Sequence, residues 1–158
     1  MIITVESPNS LTAFARAVYR DAVARLRGNG EELVFIAAGR YDASAGSLMP
    51  VPIPDSLAEW SGAWVSKSEA DAAIRRAIKV CDANAIIICR DAWISQIVGV
   101  RPRDAADRRE ALMVIAEIAG LGIWRGIQVF SRIGQTIFIV DAMPELEAID
   151  SGESWFRP

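Results

Sequence analysis

Two uninterrupted apolar runs, Leu33-Val34-Phe35-Ile36-Ala37 and Ala85-Ile86-Ile87-Ile88-Cys89, constrain this chain more than any other feature. A strand with one wetted face alternates apolar and polar residues, whereas a run without alternation is apolar on both faces and needs a covering layer on each. The segments before the two runs supply such layers. Leu11, Phe14, Val18, Ala22 and Leu26 recur at three- and four-residue spacing behind Ser7-Pro8, an N-cap followed by a proline in the first turn. They predict an amphipathic helix to about Arg27, closed by Gly28-Asn29-Gly30. Ser66-Lys67-Ser68-Glu69 fits a capping box, and Ala70, Ala73, Ile74, Ala77, Ile78 and Cys81 form one stripe, predicting a second helix over 67–81 that Asp82-Ala83-Asn84 breaks. Met1 to Val5 is compatible with a first strand, and the run at 85–89 is open to extension toward Trp93.

The remaining segments are less regular. Pro50, Pro52 and Pro54 allow Leu48 to Ile53 to be at most an edge strand, because proline cannot donate to a ladder. Residues 95–109 read as a long loop. Residues 110–118 are helical by propensity and strand-like by their lack of a polar face. The strand reading is preferred because Gly120-Leu121-Gly122, then 123–130, then Arg132-Ile133-Gly134, then 135–140 has the turn spacing of an antiparallel meander; one helix over 104–119 is the alternative. The expected fold class is therefore α+β: a mixed β-sheet with two main helices and a C-terminal antiparallel meander, in which strands joined through helices run parallel. Residues 1–140 form a single domain in this reading, and 141–158 an acidic C-terminal tail that Trp155-Phe156 folds back onto the body.

Composition then excludes much chemistry. With no histidine among the 158 residues, His-dependent triads, HExxH zinc sites and imidazole acid-base catalysis are ruled out. Net charge is -3, but residues after Val140 sum to -4 and leave the first 140 at +1, so no global field attracts a polyanion and nucleic acid is not an expected partner. Arginine outnumbers lysine 15 to 2, which favours planar contacts with carboxylates. Cys81 and Cys89 cannot build a disulfide framework and lie in apolar contexts, which suits buried thiols in a cytoplasmic protein. No window reaches the ~18 apolar residues of a membrane span, and the N-terminus has no signal-peptide pattern.

The catalytic search is mostly negative. A zinc site at Cys81 and Cys89 would need two carboxylates from elsewhere. A Ser-Lys pair is restricted to Lys67 beside Ser66 or Ser68, and Ser66 is already accounted for as a cap. Neither a P-loop nor a G-x-G-x-x-G motif occurs, and no cofactor is expected. What stands out is Arg90-Asp91-Ala92-Trp93 followed by 101–110, which packs four arginines and three acids into ten residues just beyond a buried strand. Arg101, Arg103 and Arg108 could hold a carboxylate or phosphate, and Asp91, Asp107 or Glu110 could orient a water or a cation. Alternatively the loop fixes itself through internal pairing, with Trp93 packed beneath 101–110 and with Asp107 and Glu110 paired to nearby arginines. Trp60, Trp64 and Trp155 are candidate interface anchors outside the clear core.

The same stretch resembles a family of uncharacterised small bacterial and phage proteins. In these an apolar strand ends in a Ser-Glu-Ala-Trp-like tetrad and is followed by a Pro-Ser-x-Asp-Pro-Asp-Arg-x-Glu-Ala-Leu-like run. The counterparts here are Arg90-Asp91-Ala92-Trp93 and Pro102 to Leu112, within a likeness covering residues 85–118 that departs at Arg90, Arg103 and Ala106. The resemblance implies a bacterial or phage origin and no known activity. The order of elements is also similar to JAB/MPN metalloprotease domains, but where those carry His-x-His on a strand, Ile86 to Asp91 reads Ile-Ile-Ile-Cys-Arg-Asp, without the usual zinc ligands. Two functions follow as expectations. The first is a protein acting by protein-protein contact, non-catalytic and homo-oligomeric. The alternative is a carboxylate-based hydrolase or small-anion-binding enzyme using the 91–110 loop, with Mg²⁺ held by Asp91, Asp107 and Glu110.

Overall fold

The computed structural model describes residues 11–29, 33–53, 59–61, 67–150 and 154–156, with the side chains of 29, 33, 34, 59–61 and 67–70 left undescribed. The expected strand at 1–5, the Ser7-Pro8 cap, Ser66 and Trp64 lie outside these residues. In chain order the elements are α1 (Leu11–Asn29), β1 (Leu33–Asp42), β2 (Ser47–Val51), β3 (Glu59–Ser61), α2 (Lys67–Cys81), β4 (Ala85–Ile94), a 3-10 turn (Pro102–Asp104), β5 (Arg109–Ile118), β6 (Gly122–Val129), β7 (Ser131–Ile133), β8 (Thr136–Phe138) and β9 (Glu147–Ala148).

The apolar runs become the middle of one sheet, ordered β2-β1-β4-β5-β6-β9, with β3 also on β1. In β4, Ala85, Ile87 and Cys89 join the cluster built on α1, while Ile86 and Ile88 join a second cluster with Ile74 and Ile78 of α2. That two-sided burial is why the run does not alternate, and each fully buried isoleucine contributes about 1.5–3 kcal/mol of transfer free energy. Helix α1 packs Leu11, Phe14, Ala15, Val18, Tyr19, Ala22, Val23 and Leu26 into the first cluster, the expected stripe filled in at its neighbours.

The α+β class, both helices and the strand over 110–118 match the sequence expectation, and the helical alternative for 104–119 falls away because 109–118 pairs on both sides, with β4 and with β6. Strand directions differ from the expected mixture: every pairing among the described strands is antiparallel. The reason lies in the proline-bearing segment. β2 and β3 run end to end along the same edge of β1, so the chain has already reversed before α2 returns it to β4. The meander is also displaced. It consists of β4, β5 and β6, whereas residues 136–138 pair with 131–133 as a separate hairpin.

Asn84 locks the α2–β4 junction. Its side chain accepts from the Tyr41 N–H at 2.6 Å and donates to the Tyr41 carbonyl at 2.9 Å, while its carbonyl accepts the Ala119 N–H at 2.8 Å. Asp82 ends the helix with φ +49°, a left-handed conformation that short polar side chains tolerate. The segment after Val140 returns along β6: Leu146 is buried in the first cluster and β9 pairs with Trp124 and Arg125. Gly126 permits this, since a Cβ there would stand 3.1 Å from the Glu145 carbonyl, Leu146 and Pro144.

The two thiols differ sharply in environment. Burial pushes the Cys89 thiol up to about 12, and the half-buried Cys81, which donates to the Pro52 carbonyl, is raised by partial burial as well. A thiol probe at pH 8 is therefore expected to modify Cys81 slowly and Cys89 only after denaturation, and rapid labelling of both in native protein would contradict this packing.

Candidate interaction surface

Beyond Cys89 the central strand leaves the core. Asp91 and Trp93 keep the parity of Ile87 and Cys89, while Arg90 points to the other face and is exposed. Register places Asp91 opposite Leu112 and Trp93 opposite Glu110. The β7–β8 hairpin crosses this end of the sheet and inserts Arg132 between the two carboxylates. Its Nε donates to Glu110 Oε2 at 3.1 Å and its Nη2 lies 3.7 Å from Asp91 Oδ2. The Asp91 side chain is 6% exposed and that of Glu110 16%, so the guanidinium compensates two largely desolvated charges. Its other face stacks toward Phe130, 5.9 Å from the ring centroid.

Glu110 thus pairs with an arginine, though one from the hairpin and not from its own loop. Asp107 pairs with no arginine among the described residues. It accepts the Ser95 hydroxyl and, at 3.0 Å, the Gln96 N–H, closing the base of the loop. These hydrogen bonds, the Ser95 hydroxyl first, hold its carboxyl below the ordinary 3.8. Ser95 Oγ in turn accepts the Ile97 N–H at 3.0 Å.

The far side of the loop is fixed in the same self-contained way. Arg101 pairs with Asp104 at 2.9 Å across the 3-10 turn, Ala105 is buried, and Arg108 donates to the Arg103 carbonyl at 2.6 Å. The Arg108 guanidinium lies 5.0 Å over the Trp93 ring. Trp93 is more open than the sequence argument expected, at 38% exposure, because its cover is one planar cation and not a layer of loop side chains. Arg103 and Arg109 have no ion-pair partner among the described residues.

What the sequence reading missed is the loop's tip. Ile97 and Val100 are each 43% exposed and Val98 is 95% exposed, around a Gly99 whose φ of +85° makes the turn. The signal was present: three β-branched residues around a glycine in a segment with no partner strand. Arg132 left no comparable trace, since a single arginine in a hairpin carries no pattern.

These contacts do not make a magnesium site. Asp91 and Glu110 share Arg132, Asp107 is directed at Ser95 and Gln96, and among the described residues no three Asp, Glu or Cys side chains gather as ligands. Of the tryptophan anchors, Trp60 stands opposite Val34 on the sheet edge, its side chain outside the described residues, as is all of Trp64. Trp155 packs against the isoleucine cluster under α2 and donates its backbone N–H to Glu117 at 2.7 Å.

No family model matches the chain, and no curated protein or solved structure is significantly similar to it. No helix among the described residues is long and apolar enough to cross a membrane.

Proposed function

We propose that the protein acts by protein-protein contact in a reducing cytoplasm, and that the partner is a second copy of this chain. The observation that carries this reading is the apolar tip Ile97-Val98-Gly99-Val100, held out on a loop that Asp107, through Ser95 and Gln96, and the Arg101–Asp104 pair fix from within. Contiguous apolar surface on an ordered support marks an interface, and a fixed loop loses little entropy when it docks. Arg103, on the 3-10 turn that follows the tip, and Arg109, at the base of the loop opposite Ile94, call for acidic groups on the partner.

The chain carries such a surface. Phe138 and Val140, 55% and 56% exposed, are followed by Asp141, which stays exposed while pairing with Arg27 at 2.7 Å. The hairpin bearing Phe138 is at the loop's own end of the sheet, where Arg132 reaches Asp91 and Glu110. Two copies related by a two-fold axis would each place a tip on the other's hairpin, the reciprocal arrangement that closes a dimer. Stable association requires about 800 Å² from each partner, so both patches must take part.

Sedimentation velocity at rising protein concentration tests this. A dimer is expected for the wild-type chain, and both Val98→Asp and Phe138→Asp are expected to weaken it about tenfold or more while leaving the thermal midpoint of the dilute monomer unchanged, since both side chains are exposed. A strict monomer at high concentration, or a dimer indifferent to both substitutions, refutes the reading.

A further inference from the structure

On the opposite face of the sheet from α1, a groove of about 670 Å³ runs between α2 and the returning C-terminal segment. Ile78, Trp155 and Phe156 give it an apolar floor, and Arg75, Arg76 and Lys79 give it a cationic border, with no carboxylate among the described residues that line it. Residues 72, 75, 76 and 79 fall on one helical face by their three- and four-residue spacing, so the cations form a row along the groove. Arg75 serves the wall, donating to the Ser154 carbonyl at 3.0 Å and the Trp155 carbonyl at 3.3 Å. Exposed Arg76 and Lys79 have no ion-pair partner among the described residues. The wall is anchored from beneath, because buried Glu117 accepts both the Ser154 hydroxyl and the Trp155 N–H.

We infer that this groove binds a small amphipathic carboxylate, with its hydrocarbon on Ile78, Trp155 and Phe156 and its head group on Arg76 and Lys79. The volume lies within the ~300–1,000 Å³ of small-molecule sites, and an apolar floor with a few convergent polar groups is their usual composition. A planar guanidinium matches a carboxylate in two parallel hydrogen bonds. Inorganic phosphate would satisfy the cations and leave the apolar floor wet, and an uncharged hydrocarbon would do the reverse. Only a molecule with both parts covers the whole site.

The experiment is a calorimetric titration of the full chain with decanoate and, separately, decanol, mapped by backbone amide chemical shifts. Decanoate should saturate one site, shift residues 72–79 and 155–156, and bind about fivefold or more tighter than decanol. Arg76→Glu combined with Lys79→Glu should weaken decanoate about tenfold or more and leave decanol within about twofold, with circular dichroism and thermal midpoint unchanged; Lys79→Gln alone should give a smaller loss in the same direction. Val98→Asp should bind decanoate as the wild type does, because the site is independent of the proposed dimer. The inference is overturned if decanoate does not saturate, if its shifts fall elsewhere, if decanol binds as tightly, or if the charge reversals leave decanoate binding intact.

Discussion

Arg132→Ala is expected to cost about 3 kcal/mol in urea unfolding, among the largest losses from any single polar substitution in this chain. The guanidinium stands between Asp91 and Glu110, whose side chains are 6% and 16% exposed. Truncating it leaves two nearly desolvated carboxylates of like charge with their shared cation gone, and such groups cost far more unpaired than the pair contributes when intact. The triple change Asp91→Asn, Glu110→Gln, Arg132→Met should recover most of the loss, because the charge requirement disappears together with its partner. A loss below about 1 kcal/mol for Arg132→Ala would mean that the network is solvated and does not fix the hairpin to the sheet.

Glu117→Leu should be nearly as severe, at about 2–4 kcal/mol, and should have a local signature as well. Glu117 is 4% exposed and accepts two hydrogen bonds from the C-terminal segment, so leucine leaves the Ser154 hydroxyl and the Trp155 N–H without their acceptor. Because hydrogen bonds to a charged acceptor are worth about 1.5–3 kcal/mol each, removing both detaches 154–156 before the sheet unfolds. Limited proteolysis should then clip the C-terminus of the variant while the remainder stays protected. A variant that loses stability with its C-terminus still protected would place the cost in the core and not in the anchor.

Much of this architecture can be read from short-range pattern. The helix over 67–81 and the strands through 33–37 and 85–89 follow from periodicity and β-branching, because those residues face neighbours dictated by their own spacing. Glu117 was not singled out, although it is the sole charge in the apolar run 111–118 and that isolation was its signal. Strand direction was not legible. It depends on β2 and β3 sharing one edge of β1, a relation between segments that no local window contains. The candidate loop divides along the same line: Asp107 and Glu110 take long-range partners, Ser95 and Arg132, 12 and 22 residues away, which charge counting within the loop assigned to its own arginines.

The interrupted edge beside β1 governs how copies of this protein can meet. Val51 of β2 stands opposite Ala38 and Glu59 of β3 opposite Phe35, so neither strand is paired with Ile36 or Ala37 between them. Pro50 removes one amide from that margin. At the other margin, residues 144–148 lie over β6. Among the described residues neither margin offers a long, straight row of free peptide groups, which disfavours extension of the sheet by an added strand, the route that leads to fibres. The dimer proposed above would therefore be built from side chains such as those at the 97–100 tip and not from shared backbone hydrogen bonds.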